Sequence, residues 1–242
     1  MSTSDVTLVA GAYFEQYDID TGLWYRIPRL TSTGETGSTA DAKEKTTTED
    51  RIKRYGTGLF DGGDKTLKGQ WIPEQDEGSE HYADYELQKR FLDRAENTEE
   101  MPMRLNYPNR KRGVFTFKSL GMMIDDGTAE DWLMFTVGGK QNSKVDWSTP
   151  APELTAITAG DPIEIEVGAG NLISLTNTPL DAFWLVNGDQ FVSSDITVAS
   201  VTKWGYVKAL TEGTTTITCK RDIGDGTFIE TTADVTVTVT AA

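Results

Sequence analysis

The sequence predicts a mainly β protein in two units: an N-terminal α+β sandwich or barrel with one helix, then a C-terminal β-sandwich. Three observations predict it. Residues 163–240 alternate apolar and polar side chains with period two and carry no helical pattern. Residues 1–150 hold several short β-prone runs and a single stretch of helical periodicity. Between them, Trp147-Ser148-Thr149-Pro150-Ala151-Pro152 sets two prolines among small polar residues, the composition of an extended, poorly packed linker. The expected units are therefore 1–150 and 151–242.

In the first unit the strand candidates are Thr7–Phe14, Leu23–Leu30, Thr66–Ile72, Met103–Asn106, Val114–Ile124 and Trp132–Gly138. Asp18–Gly22 and Pro108–Gly113 carry the residues that turns require. The helix is expected from Ser79 to about Ala95. Ser79 suits the cap, Glu80 and Asp84 the first turn, and Lys89, Arg90 and Arg94 the last. Tyr85 with Leu92, and Leu87 with Phe91, give it an apolar stripe that can dock on a sheet.

Between Thr31 and Gly58 almost no residue is apolar. Asp41, Lys43, Glu44, Lys45, Glu49, Asp50, Arg51, Lys53 and Arg54 give the stretch mixed charge, so it cannot bury itself and is expected to be a mobile loop in an isolated subunit. A loop this long inside a compact domain is either a disordered insertion or a functional element.

In the second unit Ile163, Ile165 and Val167 oppose Glu164 and Glu166. Val235, Val237 and Val239 oppose Thr236, Thr238 and Thr240, and Ile217 and Cys219 oppose Thr216 and Thr218. Strands with one buried and one wet face read this way. Asn187-Gly188 and Gly224-Asp225-Gly226 supply hairpin turns.

The net charge is −15, shared by both units: 19 Lys and Arg against 26 Asp and Glu in residues 1–152, and four against 12 in residues 153–242. Tight nucleic-acid binding needs clustered Lys or Arg, so neither unit suits it. An acidic wall can still let DNA slide past. One cysteine, Cys219, allows no intrachain disulfide. Met1–Val9 lacks a basic segment and carries Asp5, unlike a signal peptide, and no apolar run is long enough to span a bilayer.

The residues that could carry chemistry do not form a constellation. His81 is the only histidine and stands at a helix start, and Cys219 lies on the apolar side of its strand, the pattern of an inert core thiol. Zinc chemistry needs Cys or His clusters that the sequence lacks. Asp18-Ile-Asp20-Thr-Gly22 resembles the start of a calcium loop, but Arg29 stands where that loop needs its glutamate. Arg110-Lys111-Arg112, the one basic triplet, reads either as a solvated hairpin tip or as a contact for an acidic neighbour. No enzyme activity, metal or cofactor is expected.

The C-terminal unit resembles the bacterial Ig-like domains of group 2. The carrying residues are Ser194-Asp195-Ile-Thr-Val198-Ala199-Ser200-Val201, Gly205-Tyr206-Val207-Lys208-Ala209-Leu210 and Glu212-Gly213-Thr214-Thr215-Thr216-Ile217-Thr218. One departure stands out: Phe183-Trp184-Leu185-Val186 replaces the usual tryptophan-serine pair before Ser-Asp. Residues 1–150 resemble the major tail tube proteins of lambda-type long-tailed bacteriophages. The order is similar: a strand, the long charged loop, Gly62-Gly-Asp-Lys-Thr-Leu-Lys-Gly-Gln-Trp71-Ile-Pro73, a helix, Met103-Arg-Leu-Asn-Tyr-Pro108-Asn109, then Val114-Phe-Thr-Phe-Lys-Ser-Leu-Gly121 and a closing strand.

This resemblance implies a structural virion protein that forms homo-hexameric rings stacked into a tail tube, through which double-stranded DNA passes without tight binding. It implies tape measure, terminator and baseplate proteins as tail partners, a virion tail location after synthesis in the host cytoplasm, and no membrane insertion. The Ig-like domain would project outward as a dispensable accessory making weak cell-surface contacts. An open antiparallel sheet closed only by its neighbours would suit such a ring, and the charged loop would meet the next ring. A tail terminator or baseplate hub of the same fold stays open as an alternative, and a bacterial surface adhesin as a more distant one.

Overall fold

In the computed structural model, which describes residues 11–37, 39–44, 55–125, 133–186, 188–224 and 226–241, the period-two runs are strands and the fold is mainly β with one helix. The first half runs β1 (Tyr13–Asp18), β2 (Leu23–Arg26), β3 (Leu30–Ser32), β4 (Thr39–Glu44), β5 (Tyr55–Asp61), β6 (Asp64–Gln70), α1 (Tyr82–Glu96), β7 (Glu100–Asn106), β8 (Arg112–Asp125) and β9 (Met134–Gln141). Seven of these strands make one antiparallel ladder in the order β2-β1-β7-β8-β9-β6-β3.

The two ends of this ladder are consecutive in the chain. Ile27 N–H donates to the Phe14 carbonyl of β1 at 2.9 Å, whereas the Arg29 carbonyl accepts from Gln70 N–H of β6 at 3.0 Å. Residues 23–32 thus leave one edge and join the other at Pro28, which has no N–H to give to either ladder. The sheet rolls into a barrel with its seam on this segment. The open sheet expected from the sequence, with ends closed only by neighbouring copies, is corrected: the chain joins the two ends itself.

Inside lie Phe14, Ile27, Leu67, Met101, Met103, Leu105, Phe115, Phe117, Phe135 and Val137, sharing one core with Phe91, Leu92 and Ala95 of α1. The helix begins at Tyr82 with His81 as its cap residue and no side-chain cap hydrogen bond, so Ser79 does not cap it as expected. Its buried stripe includes Gln88, whose Oε1 accepts from Ile72 N–H at 2.7 Å and whose Nε2 donates to the Gln70 carbonyl at 2.8 Å. That side chain satisfies backbone groups where β6 ends, a polar duty that an apolar-stripe reading does not reveal.

The second half adds β10 (Ala156–Ala159), β11 (Ile163–Glu166), β12 (Gly170–Leu172), β13 (Leu175–Thr178), β14 (Gln190–Ser193), β15 (Ala199–Val201), β16 (Tyr206–Ala209), β17 (Gly213–Asp222), β18 (Phe228–Glu230) and β19 (Val235–Thr240). The sheet β11-β19-β17-β14 and the sheet β12-β16-β15 share a core of Ile163, Ala199, Val207, Ala209, Ile217, Cys219, Val235, Val237 and Val239. This is a two-layer sandwich, with the inward residues that the alternation predicts. Gly224 and Gly226, at φ 101° and 84°, turn β17 into β18. Asn187 lies outside the described residues, and Gly188 stands in a connection between β13 and β14, which do not pair. The hairpin expected there does not form.

In the expected linker, Trp147–Pro150 are exposed while Ala151 is buried, its N–H donating to the Arg110 carbonyl at 2.8 Å. The Trp147 ring lies 6.3 Å from that of Tyr107, tilted by 32°, and a side chain added at Gly113 would come within 2.6 Å of it. Ala151 forms a small core with Tyr13 and Phe183, against which Trp184 and Val186 pack, so the end of this stretch lies where barrel and sandwich meet.

Substituting Gln88 by Leu should orphan the Ile72 N–H and the Gln70 carbonyl and lower unfolding free energy by about 1–3 kcal/mol. Lys89→Ala, which removes only the exposed i,i+4 pair with Asp93, should cost well under about 1 kcal/mol. Urea denaturation of the two variants checks the contrast.

Candidate functional site

Three of the charged residues singled out in the sequence fall on a strand. Asp41, Lys43 and Glu44 are on β4, which pairs with β5 in antiparallel register from Thr39↔Asp61 to Glu44↔Tyr55. The register shifts between Ala40 and Ala42, where β5 carries one residue more than β4, as in a bulge. Lys45, Glu49, Asp50, Arg51, Lys53 and Arg54 lie outside the described residues. Among the described residues, the flanks of the expected loop are thus a two-stranded arm, and backbone pairing, which needs no apolar side chains, is why composition does not reveal it.

The arm is rooted by two buried polar side chains. Lys65, on an inward position of β6, is 1% exposed, and its Nζ donates to the Glu35 carbonyl at 2.8 Å and to Thr36 Oγ1 at 2.6 Å. The ammonium also lies about 5 Å from the Phe14 and Phe115 ring centroids, at 5.1 and 5.2 Å. Gln141, at the end of β9, donates to the Gly37 carbonyl at 2.7 Å. Both residues therefore hold segment 35–37, directly before β4. Burial lowers the Lys65 pKa to about 8. Sequence reading missed both residues, since Lys in an alternating strand reads as solvent-facing.

A second surface lies on the far half of β8. β7 pairs with β8 only as far as Glu100↔Lys118, while β9 continues along it to Asp125↔Met134. Among the described residues, no strand pairs with the other edge of Leu120–Asp125. Four large apolar side chains are exposed along it or beside it: Leu120 is 62% exposed, Met123 66%, Ile124 45% and Leu133 43%. An unpaired strand edge with exposed apolar side chains is a template for another strand. Gly121, at φ 126°, marks a register shift between β8 and β9, which bends the projecting half of the strand.

The remaining candidates have ordinary surroundings. Asp18 turns β1 into β2: its carboxylate accepts from Asp20 N–H at 2.9 Å and pairs with Arg90. These bonds, the Asp20 N–H first, hold its carboxyl below the usual carboxylate range. Cys219 is buried in the sandwich core, and burial pushes its thiol up to about 11. His81 meets the Trp204 ring edge-on at 6.4 Å. The basic triplet divides: Arg110 pairs with Glu153, Lys111 lies over Trp147, and Arg112 is buried against Asp181. Both readings of that triplet hold in part: Arg110 and Lys111 are exposed at the β7–β8 hairpin tip, while Arg110 and Arg112 meet carboxylates of the same chain. Among the described residues, no three His, Cys, Asp or Glu side chains group as a metal site.

No protein-family model and no curated protein matches this chain. Among solved structures it is similar to the tail of an empty GTA particle in C6 symmetry, at 12% identity and a TM-score of 0.42 over 57% of this chain and 96% of that one. It is similar to the SPP1 tail tube at 11% identity and a TM-score of 0.41, over 57% and 77% of the two chains. The 6-fold symmetrised anti-feeding prophage baseplate gives 13% identity and a TM-score of 0.41, over 60% and 96%.

The Lys65 geometry gives a pH dependence with a definite sign. Because its folded pKa lies below the unfolded value, the unfolded chain binds more protons between about pH 8 and the ordinary lysine value of 10.5. The burial penalty on the charged form is complete below about pH 8 and is relieved as pH rises through that window. Relative to Lys65→Met, the wild type should therefore gain stability from pH 8 to pH 10. Paired urea titrations at both pH values measure it, and a flat difference would refute the assignment.

Proposed function

We propose that this chain is a phage tail tube subunit, assembling as homo-hexameric rings that stack into the conduit for DNA. The observation that carries the reading is the apolar, unpaired edge Leu120–Asp125 on a barrel whose ladder ends are already joined. Such a subunit offers this apolar edge, and a second copy can cover it through backbone pairing and burial of Leu120 and Met123. A point-group ring is the closed solution for head-to-tail copies of one such edge. The lambda-type layout, a tube unit followed by one Ig-like unit, supports the same reading from sequence order.

In this reading the β4–β5 arm, fixed at its root by Lys65 and Gln141, reaches toward the adjacent ring. Its alternating charges then form a network, since single exposed pairs contribute only about 0–1 kcal/mol each. The net charge of −15 gives double-stranded DNA a wall it does not adhere to. Tape measure, terminator and baseplate proteins are the tail partners, and synthesis takes place in the host cytoplasm before incorporation into the virion tail. The sandwich of residues 153–240 is the outward Ig-like unit, where many copies multiply weak cell-surface contacts. The chain acts by assembly, with no catalysis and no cofactor.

Electron microscopy of concentrated protein tests the ring and the stack separately. Wild-type protein should give six-fold rings and tubes with a central hole that admits a duplex. Met123→Glu should stay folded by circular dichroism but remain monomeric, because a charge would be buried at the edge. Deletion of about residues 38–54 should leave rings that do not stack. Protein that stays monomeric at every concentration, or a Met123→Glu variant that forms normal tubes, would refute the edge as the ring contact.

A further inference from the structure

The barrel face turned away from its core carries a buried charge cluster. Glu15 of β1 sits opposite Arg104 of β7, and Asn106 sits opposite Arg112 of β8. All four are buried. Arg104 Nε donates to Glu15 Oε2, as does Asn106 Nδ2 at 2.6 Å, and Arg112 Nε donates to Asn106 Oδ1 at 2.6 Å. Within the barrel alone, two guanidinium groups thus face one carboxylate.

The second half supplies the missing charge. Asp181 Oδ2 lies 3.1 Å from Arg112 Nη1 and 3.8 Å from Arg104 Nη1, and the Asp181 carbonyl accepts from Arg112 Nη2 at 2.6 Å. Two residues on, Phe183 stacks on Tyr13 at 5.6 Å, and Trp184 meets Tyr13 at 5.3 Å. Trp184 in turn lies under Arg221, which is fixed by Asp189 at 2.8 and 2.6 Å and by Asn177 at 2.5 Å. Phe183 and Trp184 are where the chain departs from the Ig-like pattern, and that departure forms the contact with the barrel.

We propose that Asp181, with Phe183 and Trp184, makes the C-terminal sandwich a structural partner that the barrel depends on, so that the two halves unfold as one cooperative body. The covered face is neutral only with Asp181 in place. The Arg104 and Arg112 side chains are 5% exposed and that of Asp181 45%, so water screens part of its charge; removing it while the cover stays still leaves a buried guanidinium uncompensated, which costs more than loss of an exposed pair. Removing Arg112 as well restores the balance of Glu15 with Arg104, so the second change should offset much of the first. This inference concerns the single chain and stands apart from ring or tube formation.

Scanning calorimetry of the full, unassembled chain tests it. The wild type should show one transition. Asp181→Ala should lower Tm by roughly 5–10 °C and split the trace in two. Adding Arg112→Met to that variant should recover at least half of the drop. Glu153→Ala, which removes the exposed partner of Arg110, should shift Tm by less than about 2 °C. Should Asp181→Ala fail to accumulate, Asp181→Asn keeps the shape, removes the charge and should shift Tm the same way. Two independent transitions in the wild type, a charge-removing variant no worse than Glu153→Ala, or no recovery in the double variant would each overturn the proposal.

Discussion

The fold of the first half depends on one segment changing partners. Residues 23–32 pair with β1 up to Ile27 and with β6 from Arg29 onward. Had the segment stayed with β1, the ladder would end in two full-length open edges, and the core of Phe14, Met103, Phe117 and Phe135 would lack a wall. Because it switches at Pro28, the segment bridges β1 and β6, with β2 pairing β1 and β3 pairing β6. A further unpaired edge, carrying exposed apolar side chains, lies where β8 outruns β7.

Most strands were legible because one face is buried and the other wet. Met103–Asn106 and Val114–Ile124 lie within observed strands, as do the Val and Ile alternations of the sandwich, and the expected Thr66–Ile72 matches β6 as far as Gln70. Of the expected strand Thr7–Phe14, residues 7–10 lie outside the described residues, and β1 runs on past Phe14 to Asp18 for a physical reason. Tyr13-Phe-Glu-Gln-Tyr-Asp buries both faces: Phe14 and Gln16 point into the barrel, while Tyr13 and Glu15 point into the seam with the sandwich. A strand wet on neither side loses its period-two signal, and buried Glu and Gln make it read as a turn.

The functional surfaces were less legible, for two different reasons. The β4–β5 arm pairs through its backbone, so its charged composition concealed a regular element. The roles of Lys65, Gln88, Gln141 and Arg112 depend on carbonyls and carboxylates distant in sequence, the 69 positions from Arg112 to Asp181 among them. No local pattern marks such a residue. The Phe183-Trp184 departure was visible in the sequence, but its meaning needed Tyr13 and Arg221 beside it.

The placement of charge connects these surfaces. Arg104, Arg112 and Arg221 are buried with carboxylate partners, and Lys65 is withdrawn into the barrel. Cations are thus spent on internal joints in a chain that already carries −15, which leaves a surface dominated by carboxylates. Copies of such a subunit repel one another at long range, and the repulsion weakens beyond a Debye length of about 8 Å at physiological ionic strength. Association must then come from short-range terms, and the Leu120–Asp125 edge offers both: backbone pairing and apolar burial.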